Sequence, residues 1–184
     1  NLARLDIRQE SSRHTQVISE VVKKKLKSNY DQWTEQRKIK FLISKITSKS
    51  KFFSDKIISN KENKEVWKTF KVLADEPPEC LGAYVISMTS KASDILAVSL
   101  LQKEAGIKNK LRVVPLFETL DDLKNAKSTM DSLFSIKWYR KYIKNEQEIM
   151  IGYSDSSKDA GKLSAGWHQY KLQEELTQLG KKYK

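Results

Sequence analysis

Three short, almost continuous apolar runs limit what this chain can fold into: Ala83-Tyr-Val-Ile-Ser-Met88, Arg112-Val-Val-Pro-Leu-Phe-Glu118 and Glu148-Ile-Met-Ile-Gly-Tyr-Ser-Asp155. They do not alternate apolar with polar, so they predict strands buried on both faces, as in a parallel sheet. A fourth β-like run, Leu2 to Arg8, precedes them. Helical signals fill the gaps. Ile39, Leu42, Ile43 and Ile46 mark one face of an amphipathic helix. Ser93 is the expected N-cap of a helix over 94–105, with Gly106 as its C′ residue. Thr119-Leu-Asp-Asp122 resembles a capping box opening a helix toward Leu133. Beyond Lys158, Leu163, Trp167 and Tyr170 share a face that Leu172, Leu176 and Leu179 continue. Residues 48–65 read as a long polar loop, and Asp75-Glu-Pro-Pro-Glu79 as a rigid connector.

Expected strand ends fall near residues 8, 88, 118 and 155. The later spacings match βα units of about 30 residues or more. The predicted class is a helix-rich α/β fold, part of a (β/α)8 barrel of the TIM type with extra helices and about four of the eight strands. Residues 14–80 form a Lys-rich insertion of extra helices between the first two strands. The 184 residues suffice for one domain with a real core. No apolar run approaches the roughly 20 residues of a membrane span. One cysteine, Cys80, excludes an internal disulfide, and His14 and His168 are too far apart in sequence to suggest a metal site. The start, Asn1-Leu2-Ala3-Arg4, is neither an initiator Met nor a signal peptide, so a beginning inside a longer protein is expected.

Charge is concentrated. The formal net charge is +12, and residues 23–71 hold fifteen Lys and Arg against five acids, or +10 of it. The stretch is rich in Lys and poor in Arg, whereas bidentate recognition of phosphates and base edges favours Arg. Solvated lysines on surface helices are the simpler reading, and a basic module binding nucleic acid or another polyanion is the alternative.

In parallel α/β folds the working residues gather at the C-terminal strand ends. Strand one ends in Asp6-Ile-Arg8-Gln-Glu-Ser-Ser-Arg13-His14, strand three in Glu118, and strand four in Ser154-Asp155-Ser-Ser-Lys158-Asp159. Glu118 and Asp155 could hold a hard cation such as Mg²⁺ or Mn²⁺, which takes few protein carboxylates and leaves room for water and substrate oxygens. Arg8 could clamp a phosphate or carboxylate, and Lys158 could sit beside a small anion. The set suggests a metal-dependent enzyme acting on a small phosphorylated acid. Simpler roles compete: Asp121, Asp122 and Asp159 as helix N-terminal acids, Arg13 and His14 as first-turn residues, His168 as a surface histidine, and the four tryptophans as core or interface anchors.

At these same residues the chain resembles phosphoenolpyruvate carboxylases. The stretches are Leu5-Asp-Ile-Arg-Gln-Glu-Ser-Ser-Arg-His14, Gly82-Ala-Tyr-Val-Ile-Ser-Met88, Ser93-Asp-Ile-Leu-Ala-Val98, Val113-Val-Pro-Leu-Phe-Glu-Thr-Leu-Asp-Asp-Leu123, Ile136-Lys-Trp-Tyr-Arg140 and Met150-Ile-Gly-Tyr-Ser-Asp-Ser-Ser-Lys-Asp-Ala-Gly161, in the family's order. The resemblance implies a large helix-rich barrel enzyme, usually a homotetramer. It joins bicarbonate to phosphoenolpyruvate with Mg²⁺ or Mn²⁺, giving oxaloacetate and phosphate through carboxyphosphate and the pyruvate enolate. It further implies that Glu118 and Asp155 bind the metal, that Arg8 helps hold the substrate phosphate, and that Lys158 is the active-site lysine linked to bicarbonate. The family's catalytic histidine and its Gly- and Arg-rich mobile loop have no counterpart here, and His14 does not inherit the histidine's role. Residues 1–184 are therefore expected to be a fragment, inactive alone. A cytoplasmic location is expected, with neither nucleic acid nor membrane as partner.

Overall fold

The computed structural model describes residues 3–183. Four strands, β1 (Leu5–Glu10), β2 (Leu81–Ser87), β3 (Arg112–Phe117) and β4 (Met150–Ile151), form one sheet in the order β1-β2-β3-β4. Every neighbouring pair is parallel. Each connection must therefore cross from one end of the sheet to the other, and helices do this. Between β1 and β2 lie α1 (Ser11–Leu26), α2 (Glu35–Thr47) and α3 (Lys61–Asp75). α4 (Ala92–Ala105) joins β2 to β3, while α5 (Leu120–Ser135) and α6 (Lys137–Tyr142) join β3 to β4. α7 (Tyr153–Ala160) and α8 (Lys162–Lys182) follow β4. The expected helix-rich α/β class with about four parallel strands is what the chain forms.

The two central strands, β2 and β3, are apolar and buried on both faces, as their unbroken runs predict, whereas β1 carries polar residues and β4 leaves Met150 exposed. Tyr84, Ile86 and Phe117 join the main core with α1, α3, α4 and α5. Ala83, Val85, Val114 and Leu116 form a separate buried cluster. Alternation along a strand assigns these two sets to opposite faces. α4 is buried nearly all round, so this helix is an inner layer rather than an amphipathic cover. Its end is fixed by Gly106 at φ 89°, where the Ile107 N–H reaches the Gln102 carbonyl at 3.1 Å, a glycine-dependent stop. α5 begins at the expected capping box: Thr119 Oγ1 accepts from the Asp122 N–H at 3.1 Å, and Asp122 Oδ2 accepts from the Thr119 N–H at 3.0 Å.

Several sequence expectations need correction. The first strand is Leu5–Glu10, and Leu2, its expected start, lies outside the described residues. The fourth strand is only Met150–Ile151; Tyr153 onward coils into α7, so Asp155 belongs to a helical first turn. The polar segment expected as a loop to residue 65 is already helical at Lys61, where Asn60 caps α3 by accepting from the Asn63 N–H at 3.1 Å. Ser93 does not cap α4. It lies within the first turn, and its N–H and hydroxyl both donate to Glu35, at 2.8 and 2.9 Å. Asp94 instead reaches back to the Ser90 and Lys91 N–H groups at 3.0 Å. On α8, Leu172 and Leu179 are buried as expected, but Leu163, Trp167 and Tyr170 are exposed. Helical spacing identified a shared face without saying whether anything packs on it. No helix among the described residues is long and apolar enough to cross a membrane.

Candidate active site

The sheet register brings the first two candidate residues together. Arg8 pairs with Val85, and Val85 with Val114. Alternation then places Arg8, Val85, Val114, Leu116 and Glu118 on one face, opposite the large helical core. β2 lies between β1 and β3 and puts Ala83, Val85 and Ser87 on that face, none of them charged, and Arg8 reaches over it. Its Nη2 donates to both carboxylate oxygens of Glu118, at 2.8 and 3.2 Å. The Glu118 side chain is only 9% exposed, against 55% for Arg8. A buried carboxylate thus has a charged partner at the solvent boundary, which offsets its desolvation.

The backbone beneath Glu118 is tightly held. Asp122 Oδ2 accepts from the Glu118 N–H at 3.3 Å as well as from Thr119. β4 approaches so closely that a Cβ on Gly152 would lie 2.6 Å from Glu118 Cβ and 3.1 Å from its Cα. Gly152 also donates to the Phe117 carbonyl at 2.9 Å. Glycine is required here for close approach, since its φ of −86° suits any residue. This contact carries the chain from β4 into α7 directly beside Glu118.

α7 supplies the other two candidates. Asp155 lies in its first turn without capping it, and Lys158 Nζ sits 3.6 Å from Asp155 Oδ1, both side chains exposed. Asp159, expected to serve a helix N-terminus, does so for a different helix: Oδ2 accepts from the Leu120 N–H of α5 at 2.8 Å. That bond ties α7 to the turn carrying Glu118, a role invisible in sequence because it joins residues 39 positions apart. All four candidates therefore stand at the C-terminal side of the sheet, as two acid–cation pairs: Arg8 with Glu118, and Lys158 with Asp155.

The donor set suits a hard divalent cation. Two carboxylates come from neighbouring connections, one buried and matched only by a cation, the other free of capping duty. No group of three or more His, Cys, Asp or Glu suited to metal gathers among the described residues. An ion held by Glu118 and Asp155 would complete its shell with water and substrate oxygens, which is usual for Mg²⁺.

His14 is the first-turn residue the sequence suggests, in α1, but its burial was not legible there. It is fully buried in α1, with Phe70 and Tyr84 edge-on. The Tyr84 hydroxyl donates to Gln9 Oε1 at 2.7 Å, so it accepts from His14 Nε2–H at 2.9 Å. Nδ1 has no partner. Burial drives the imidazole pKa down to about 3. A neutral histidine facing the helical core has a packing role.

The lysine-rich segment lies on α1 to α3 and their connections. Three of its acids serve neutral donors: Asp31 accepts from Ser19, Glu35 from Ser93 and Asp55 from Trp67. Among the described residues only Lys24 of its cations forms an ion pair, with Glu20 at 2.7 Å. Several others stack on aromatic rings, as Arg37 does on Trp33 at 4.1 Å and Lys45 on Phe52 at 4.6 Å.

A parallel sheet clad in helices, with paired acids and cations at its C-terminal side, defines the class: an α/β protein whose rim carries two acid–cation pairs. Comparison with known proteins makes this specific. The family model described as phosphoenolpyruvate carboxylase matches residues 1–184, and the chain belongs to that family. It is 51% identical to the phosphoenolpyruvate carboxylase of Acinetobacter baumannii over 189 residues, covering 99% of this chain and 21% of that protein. It is 50% identical to phosphoenolpyruvate carboxylase 3 of Arabidopsis thaliana, covering 100% of this chain and 19% of that protein. The chain thus spans about a fifth of the length of the curated relatives it matches.

Proposed function

We propose that the complete protein carrying this chain is a phosphoenolpyruvate carboxylase, forming oxaloacetate and phosphate from phosphoenolpyruvate and bicarbonate. The observation that carries the reading is the Arg8–Glu118 pair, 2.8 Å across an intervening strand, with Asp155 and Lys158 on the next connection. Glu118 and Asp155 hold Mg²⁺ or Mn²⁺. The bound ion supplies Lewis-acid stabilisation of negative charge developing on the substrate oxygen. Arg8 holds the substrate phosphate by charge-assisted hydrogen bonds. Lys158, exposed on α7, places its ammonium where bicarbonate must approach. Bicarbonate attacks phosphorus, the phosphoryl group leaves the enolate as carboxyphosphate forms, and carbon dioxide released from it is captured by the enolate carbon. The four strands are part of an eight-stranded barrel in a cytoplasmic homotetramer, feeding oxaloacetate to the tricarboxylic acid cycle.

The test uses the complete enzyme with phosphoenolpyruvate, bicarbonate and Mg²⁺, following oxaloacetate by NADH loss with malate dehydrogenase. Bicarbonate-dependent turnover that disappears in Asp155→Asn is expected. A folded enzyme without turnover, or an Asp155→Asn variant as active as its parent, overturns the reading.

A further inference from the structure

The two acid–cation pairs of the rim form a closed set. Arg8 is matched to Glu118 and Lys158 to Asp155, so the four side chains sum to zero charge. No other side chain among the described residues donates to the Glu118 carboxylate, and Arg8 makes no other side-chain hydrogen bond. If Glu118 is the metal ligand and Arg8 the phosphate ligand, Arg8 Nη2 sits in the chelating position between the two Glu118 oxygens, and that edge of the guanidinium faces the carboxylate instead of a phosphate. Glu118 cannot give both oxygens to a cation while Arg8 Nη2 lies 2.8 and 3.2 Å from them.

We propose that Arg8 is an exchange latch: it holds Glu118 until a divalent cation takes that carboxylate, and the freed guanidinium then receives the substrate phosphate. The inference rests on the proposed metal and phosphate sites and adds the coupling between them. Metal entry adds two positive charges to a neutral set, and a phosphate-bearing anion restores the balance. Each ligand must therefore tighten binding of the other by the same factor, since coupling free energy is reciprocal. The side chains suit the exchange. Glu118 is buried and its backbone is pinned by Asp122 and Gly152, so it stays in place, whereas Arg8 is half exposed and its long side chain can swing.

The latch makes a prediction opposite in sign to a merely structural salt bridge. Removing a partner that only orients Glu118 would weaken metal binding; removing a competitor strengthens it. Mn²⁺ binding to the complete enzyme, counted by electron paramagnetic resonance of free Mn²⁺, reads this without turnover. Arg8→Gln should bind Mn²⁺ about five-fold or more tighter than the parent in the absence of substrate. Saturating inorganic phosphate should tighten Mn²⁺ binding in the parent and no longer do so in the variant. Arg13→Gln removes an exposed charge nearby without touching Glu118, and its smaller effect sets the baseline for charge alone. Arg8→Lys, which keeps the charge, guards against a folding defect and should fall between parent and Arg8→Gln. Equal or weaker Mn²⁺ binding in Arg8→Gln, with phosphate coupling intact, overturns the latch while leaving the metal site standing. If Glu118→Gln and Asp155→Asn bind Mn²⁺ as the parent does, the metal site itself is wrong and the latch falls with it.

Discussion

The neutral buried histidine gives a pH dependence whose sign and size can be worked out. His14 has a pKa of about 3 in the folded chain, against 6.5 for an unperturbed imidazole. Below pH 6.5 the unfolded chain takes up a proton that the folded chain refuses. The stability difference is present in full above pH 6.5 and declines as pH falls toward 3, where the folded imidazole would at last protonate. The slope in that window approaches about 1.4 kcal/mol per pH unit. Between pH 7 and pH 5 the loss is about 2 kcal/mol, a large part of the 5–15 kcal/mol typical of a domain. Other shifted groups separate cleanly. Glu20, drawn down to about 2 by bonds to Lys24, Asn63 and Ser59 against the opposing effect of its burial, acts only below pH 4.5. Asp94, raised by burial, shifts stability the other way, and comparison with a variant cancels it. The assay is urea unfolding of the chain and of His14→Gln at pH 7, 6 and 5. The parent should lose about 2 kcal/mol more than the variant over this range. Parallel pH profiles, or a His14 ring resonance titrating near pH 6.5, would refute the reasoning.

Two substitutions probe how the site and the insertion are held. Gly152→Ala puts a Cβ 2.6 Å from Glu118 Cβ, where the main chain must shift; stability should fall by about 1–3 kcal/mol in thermal melts, with weaker Mn²⁺ binding to the complete enzyme. Glu104 is buried, and its Oε2 accepts from the Phe52 and Phe53 N–H groups at 2.8 Å, anchoring the loop between α2 and α3. Glu104→Leu should cost about 2–4 kcal/mol in urea unfolding, through two stranded donors, with faster hydrogen exchange at those amides.

What the sequence determined by itself was the kind of layer each segment makes. The unbroken apolar runs of β2 and β3 meant strands covered on both faces, because a strand with a solvated face must alternate; the run at 148–155 gave only the two-residue β4, with Met150 exposed. Thr119 with Asp122, and Gly106 after α4, set helix ends because those bonds close within a few residues. Strand-end position named the candidate residues, and motif resemblance fell on the same ones. Neither could show that Arg8 and Glu118, 110 positions apart, meet across β2, because that depends on strand order and register. Tertiary structure also decided that Asp155 sits in a helix rather than a strand, that Asp159 caps α5 rather than its own helix, and that His14 lies in the core. Local periodicity left the face of Leu163, Trp167 and Tyr170 undecided for the same reason. A residue's spacing fixes which neighbours share its side of an element; only the packing of distant elements fixes what that side meets.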